Sequence, residues 1–168
     1  MILTPHAVVG AALASGFGFS PGIALVAGFA SHFVLDSLPH WDYKLLSHHK
    51  DKINPINDDI IINRKFLVDL VKLGLDFVAG ISLAWLFFAN HGLASNWAIM
   101  AGALGGVLPD FLQFVYIKTR IKSLGWVRRW HIYVHGSELE FRFPTTPLIF
   151  FLILFSALIL GNWFFFIG

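Results

Sequence analysis

His32 and Asp36 stand four residues apart in the run Ser31-His32-Phe33-Val34-Leu35-Asp36, so at helical pitch an imidazole and a carboxylate share one face. His40 and Asp42 follow just past Pro39. His6 heads the first apolar run, Asp69, Lys72 and Asp76 fall at i, i+3 and i+7 in a third, and Asp110 comes directly after Pro109 in a fourth. Imidazole nitrogen and carboxylate oxygen, with no thiolate among them, are borderline-to-hard donors suited to zinc and also to manganese or iron. The expected ligands of such a divalent metal are His6, His32, Asp36, Asp76 and Asp110, holding one to three ions. Two ions would activate a water and clamp the oxygens of a phosphoryl or acyl group. His40 or Asp42 would then move the proton, and Lys72 would neutralise an acid or steady an anionic substrate. His131 and His135, again four apart, could bring a further ligand back over the site.

Each of these residues also has a purely structural use. Asp110 followed by Gln113 fits an N-cap with a capping box if the helix restarts after Pro109. Asp69 with Lys72 fits an intrahelical ion pair, and His32 with Asp36 a structural pair. His6 fits a cap or an interface position, and the segment from His131 to Glu138 an amphipathic connector. His48, His49 and His91 read as solvated loop residues.

The elements that must position these groups are apolar throughout. Of 168 residues, 57% are hydrophobic and 13% charged, the latter about half the share of a globular chain. With a mean hydropathy of +0.70, 18 Phe and 6 Trp, a water-soluble fold would expose far more apolar surface than monomers tolerate. The composition therefore points to an all-α, polytopic integral membrane bundle of about five hydrophobic helices, a single transmembrane domain over 1–168. The expected helices cover 6–19, 22–38, 65–89, 96–117 and 147–168, the first two forming a short N-terminal hairpin turned at Ser20-Pro21-Gly22. The last carries no charge over 22 residues, about 33 Å at helical rise. No Lys or Arg precedes the first apolar run, which argues against a cleaved signal peptide. The absence of cysteine excludes disulfides, thiolate metal sites and a cysteine nucleophile.

All twelve Lys and Arg cluster around two long loops, 39–64 and 118–146. Lys44, Lys50, Lys52, Arg64, Lys65 and Lys72 surround the first; Lys118, Arg120, Lys122, Arg128, Arg129 and Arg142 surround the second. The positive-inside rule places both loops and the N-terminus in the cytoplasm of a cell with its inner membrane, and the C-terminus outside. His6, His32, Asp36 and Asp110 then lie toward the cytoplasmic ends of their helices, and Asp76 about 16 Å in from Lys65. The opposite half, from Val78 to Leu93 and Trp97 to Leu104, has no acid. The interleaving of five basic residues with Trp126 and Trp130 between Lys118 and Trp130 suits an anionic membrane surface, not nucleic acid.

Three stretches together carry a resemblance: Thr4-Pro5-His6-Ala7-Val8-Val9-Gly10, Ser31-His32-Phe33-Val34-Leu35-Asp36-Ser37-Leu38-Pro39-His40-Trp41-Asp42, and Gly105-Gly106-Val107-Leu108-Pro109-Asp110. The combination, spanning roughly a third of the chain, resembles the predicted membrane-bound metal-dependent hydrolases, a broad group distantly similar to zinc-dependent phospholipase C. The resemblance implies an all-helical, metal-dependent hydrolase of a phosphoester, with His6, His32, Asp36 and Asp110 at matching ligand positions; Asp76 is added from depth and periodicity. Where the soluble phospholipases pair a His-x-x-x-Asp with a His-x-x-x-Glu, this chain has His131-x-x-x-His135 as the second pair. It also lacks the His-Arg and Thr-His-Ser of many membrane members. The expected function is hydrolysis of a lipid-type phosphoester at the cytoplasmic leaflet, with anionic membrane lipids as partners. A non-enzymatic membrane adaptor and a small ion transporter are the rivals, the latter needing polar residues through the outer half, where Ser82 and Asn90 are among the few.

Overall fold

The computed structural model describes residues 2–38, 40, 42–91, 93–134 and 156. Helix α1 (Thr4–Phe17) starts on Pro5, whose fixed φ and missing N–H suit a first turn, and stops at Gly18, which takes the left-handed conformation at φ 61°. Three residues later Pro21 opens α2 (Pro21–Asp36), so the first two helices form the expected hairpin. α3 (Arg64–Phe88) is capped by Asn63, whose side chain accepts from the Lys65 and Phe66 N–H groups. α4 (Asn96–Thr119) is capped by Ser95 and runs without a break through Pro109 to a left-handed Arg120. The expected boundaries shift by about two residues because proline and glycine, more than apolar character, set the ends.

Both long loops hold more structure than expected. In the first, strand β1 (His48–His49) pairs antiparallel with β2 (Asp59–Ile60), and a single turn at Pro55–Asn57 lies between them. In the second, α5 (Gly125–Val134) follows a turn at Lys122–Leu124. The expected helix 147–168, and the rest of the second loop from residue 135, lie outside the described residues.

α4 is the centre of the bundle, and it packs through glycine. A Cβ on Gly102 would sit 2.3 Å from the Gly10 carbonyl oxygen, and one on Gly106 only 2.1 Å from that of His6. Helix backbones therefore touch directly, as rows of small residues permit. Around these contacts Ala7, Val8, Ala11, Ala84, Phe88, Ile99, Ala103 and Val107 form the main apolar cluster. α3 packs against this core on one side only and turns Leu67, Val71, Leu75, Val78 and Leu86 outward. Among the described residues α3 and α4 are long and apolar enough to cross a membrane, and α2 is a shorter apolar helix.

Candidate metal centre

Four helices bring imidazoles and carboxylates to one point. His6 lies in the first turn of α1, His32 and Asp36 in the last turns of α2, Asp110 after Pro109 in α4, and His131 on α5. All five are buried, His32 completely. Asp36 is central: its Oδ1 is 3.4 Å from His6 Nε2, and its Oδ2 is 3.1 Å from His32 Nε2 and 3.2 Å from His131 Nε2. Asp110 Oδ1 lies 3.2 Å from His131 Nε2 and 3.8 Å from His32 Nε2. The two histidine Nε2 atoms are themselves 3.2 Å apart.

Hydrogen positions follow from one contact. His32 Nδ1 is 2.7 Å from the Gly106 carbonyl oxygen, which can only accept, so Nδ1 carries the hydrogen. A neutral His32 then turns the Nε2 lone pair toward the Asp36 carboxylate and toward His131. His131 has one Nε2 hydrogen at most, and three acceptors stand within 3.2 Å of it: His32 Nε2, Asp36 Oδ2 and Asp110 Oδ1. Lone pairs and carboxylates facing one another in a buried space need a cation between them. Without a metal that cation is a proton: burial works against the His131 imidazolium, but Asp110 and Asp36 outweigh it and hold its pKa up to about 9.

A divalent ion could take the place of that proton, because it would offset carboxylate charge and accept imidazole lone pairs. Ligand atoms bonded at about 2.0–2.2 Å around a tetrahedral zinc lie about 3.3–3.6 Å from each other. The separations here bracket that range. Two groups have ligand atoms all within 4.8 Å of one another, His6 with His32 and Asp36, and His32 with Asp110 and His131. They share His32, whose other nitrogen is tied to a backbone carbonyl in the manner usual for metal-bound imidazole. His6 lacks such a tie: its buried Nδ1 has no hydrogen-bond partner among the described residues.

The other expected site residues lie apart from this point. His40 is at the rim, with Nε2 3.8 Å from Asp36 Oδ1 and 3.6 Å from Asp42 Oδ2. Burial opposes its protonation, but the Asp42 carboxylate and the Leu38 carbonyl raise its pKa overall. Asp76, placed among the ligands by depth and periodicity, serves instead as an anchor for the start of α1. It accepts from Leu3 N at 2.5 Å, Thr4 N at 3.2 Å, Thr4 Oγ1 at 2.6 Å and the Tyr43 hydroxyl at 3.3 Å. Of the expected stripe Asp69 and Asp76 face inward and Lys72 does not, and at Asp76 that face meets unsatisfied N–H groups of a helix N-terminus, which attract a carboxylate. Lys72 is exposed on α3 and makes no ion pair with the cluster among the described residues. Asp69 accepts from both the N–H and the hydroxyl of Ser47 at 2.7 Å, so it secures the first loop. Because α4 is continuous, Asp110 is not a cap. His135 lies outside the described residues.

Three residues with a part in the site were not singled out as such by the sequence reading. Arg128, one turn before His131, donates to Asp58 Oδ2 at 2.6 Å, to the Pro55 carbonyl at 2.6 Å and to Gln113 Oε1 at 2.9 Å. Arg120 holds the carbonyls of Ile56, Asn57 and Asp58, and Lys118 holds Asp59 Oδ1 and the Ile60 carbonyl. Three of the basic residues expected at an anionic surface thus strap the first loop to the second. The available signal was opposite charge: Asp58 and Asp59 in one loop, and the basic run in the other. Trp126, Arg129, Trp130 and Tyr133 remain on the open side of α5 and line one cleft. Compared with family models, curated proteins and solved structures, the chain finds no match.

Proposed function

We propose that this chain is an integral membrane, metal-dependent hydrolase that cleaves a phosphoester of a lipid-type substrate at the cytoplasmic leaflet. The observation that carries the reading is His32, fixed through Nδ1 to Gly106 so that Nε2 faces two carboxylates and a second imidazole. Such a centre groups donors that could hold a metal ion. His6, His32, Asp36, Asp110 and His131 would hold zinc, or manganese or iron. A bound divalent ion would supply an acidified water and a Lewis acid for a phosphoryl oxygen. His40, at the rim and backed by Asp42, is placed to hold or release a proton at Nε2.

Membrane placement draws support from the outer face of α3, where Leu67, Val71, Leu75, Val78 and Leu86 are each more than half exposed, a surface that suits hydrocarbon and not water. The twelve basic residues at the two long loops favour a cytoplasmic mouth. An amphiphile entering from that leaflet would meet Trp126, Arg129 and Trp130 at headgroup level. Apolar packing of Ala84, Phe88 and Ile99 across the other half of the bundle leaves an ion path few polar groups among the described residues, Ser15 being one.

The test is turnover by detergent-purified, zinc-loaded protein on phospholipids and polyprenyl phosphates in mixed micelles. Phosphate or a phosphorylated headgroup should be released, and Asp36→Asn should abolish the release. Cleavage of soluble phosphoesters alone would remove the lipid assignment, and no cleavage of either would remove the hydrolase.

A further inference from the structure

Over the described residues α5 spans ten positions, and its docking contacts decide where His131 sits. Those contacts form a two-rung ladder with α4. Asp110 and Gln113 are three apart on α4, Arg128 and His131 three apart on α5, and each pair presents one face. The helices run past each other in opposite senses, so Asp110 meets His131 at 3.2 Å and Gln113 meets Arg128 at 2.9 Å. The first loop completes the arrangement. Asp58 is 4% exposed and Arg128 6%, and Asp58 is itself fixed by the Asp51 N–H at 2.8 Å. One guanidinium therefore ties the first loop, α4 and α5 together, one helical turn from a ligand.

We infer that Arg128, clamped by Asp58 and Gln113, is the positioning residue that seats His131 in the metal centre. The inference rests on the metal reading above. It assigns the first long loop a role at the site although no ligand comes from its strand pair: Asp58 acts on the metal through Arg128 and His131. Lysine would not replace arginine, because a single ammonium cannot reproduce the planar fork that serves Asp58, Gln113 and Pro55 at once.

The test is titration of metal-free, detergent-solubilised full chain with Co²⁺, reading both affinity and the visible ligand-field band, with helical circular dichroism as the check on folding. Asp58→Asn and Arg128→Lys should each weaken Co²⁺ binding by about tenfold or more and move the band toward that of His131→Ala. In a His131→Ala background, Arg128→Lys should change affinity by about twofold at most, because its path to the metal has gone. Should Asp58→Asn fail to fold, Arg128→Lys, which keeps the charge beside Asp58, decides. Wild-type affinity and band in folded Arg128→Lys would overturn the inference, as would an equal loss with and without His131, which marks a general weakening of the bundle. A wild-type chain that takes up no Co²⁺ would instead remove the metal reading, and the positioning role with it.

Discussion

Two buried polar clusters lie one helical turn apart between α4 and α5, and they are built on opposite principles. Around Asp58 most donors find acceptors: Arg128, the Asp51 N–H and His48 all point hydrogens at one carboxylate, and Arg128 has a further acceptor in Gln113, although its Nε has no partner among the described residues. Around Asp36 the acceptors point at each other, with His32, His131 and Asp110 competing for too few hydrogens. A cluster closed by the protein's own hydrogens has a structural task. One short of hydrogens among the described residues could instead hold a metal ion.

The largest expected effect sharpens that contrast. His32→Ala and Asp36→Asn should each lose bound zinc, measured by elemental analysis of purified protein, and should lose the rise in melting temperature that zinc gives the wild type. That rise corresponds to about 2.7 kcal/mol at a hundredfold excess over Kd. His49→Ala and His91→Ala should retain both. If all four behave alike, the distinction between the centre and the loop histidines is wrong.

pH should separate the two states of the centre. In metal-free protein His131 faces Asp36 and His32 from α2 and Asp110 from α4, while His6 from α1 faces Asp36. Its pKa is raised from 6.5 to about 9, so its contribution to stability is complete below pH 6.5 and is lost as pH rises through 9. Zinc must displace that proton, so apparent zinc affinity should rise over the same window. Melting curves from pH 6 to 10 with and without zinc check both signs; parallel curves would mean that His131 is not a ligand.

The smallest effect concerns Asp76. Asp76→Asn weakens the anchor of the α1 N-terminus and should cost about 1 kcal/mol of stability, read by thermal melting, with zinc content unchanged. Loss of zinc would return Asp76 to the ligand set.

Much of this arrangement was legible in the sequence, for identifiable reasons. Pro5, Pro21 and the Ser20-Pro21-Gly22 turn mark the hairpin, and charges at i, i+4 or next to proline flag His32, Asp36 and Asp110 as residues that a lipid environment would reject. Helical periodicity finds the inward face of one helix but not what that face meets, which is why Asp76 looked like a ligand. The Asp58–Arg128 pair joins residues 70 apart through two loops, and no local pattern encodes so distant a contact. His131 fell between these cases: its type and its spacing from His135 marked it, but docking by Arg128 brings it to the centre.

The glycine contacts of α4 bear on which ion the centre admits. Gly106 touches the His6 backbone and also supplies the carbonyl that orients His32, and no side chain lies between the helices to yield. The distance between α1 and α4, and with it part of the gap between the opposing nitrogens and oxygens, is therefore set by peptide planes in contact. Ions that bond at about 2.0–2.2 Å match that gap, whereas calcium, at about 2.3–2.6 Å with six to eight oxygens, would have to pry α1 from α4. An ion held here would thus be sorted by radius through backbone contact as well as by ligand chemistry.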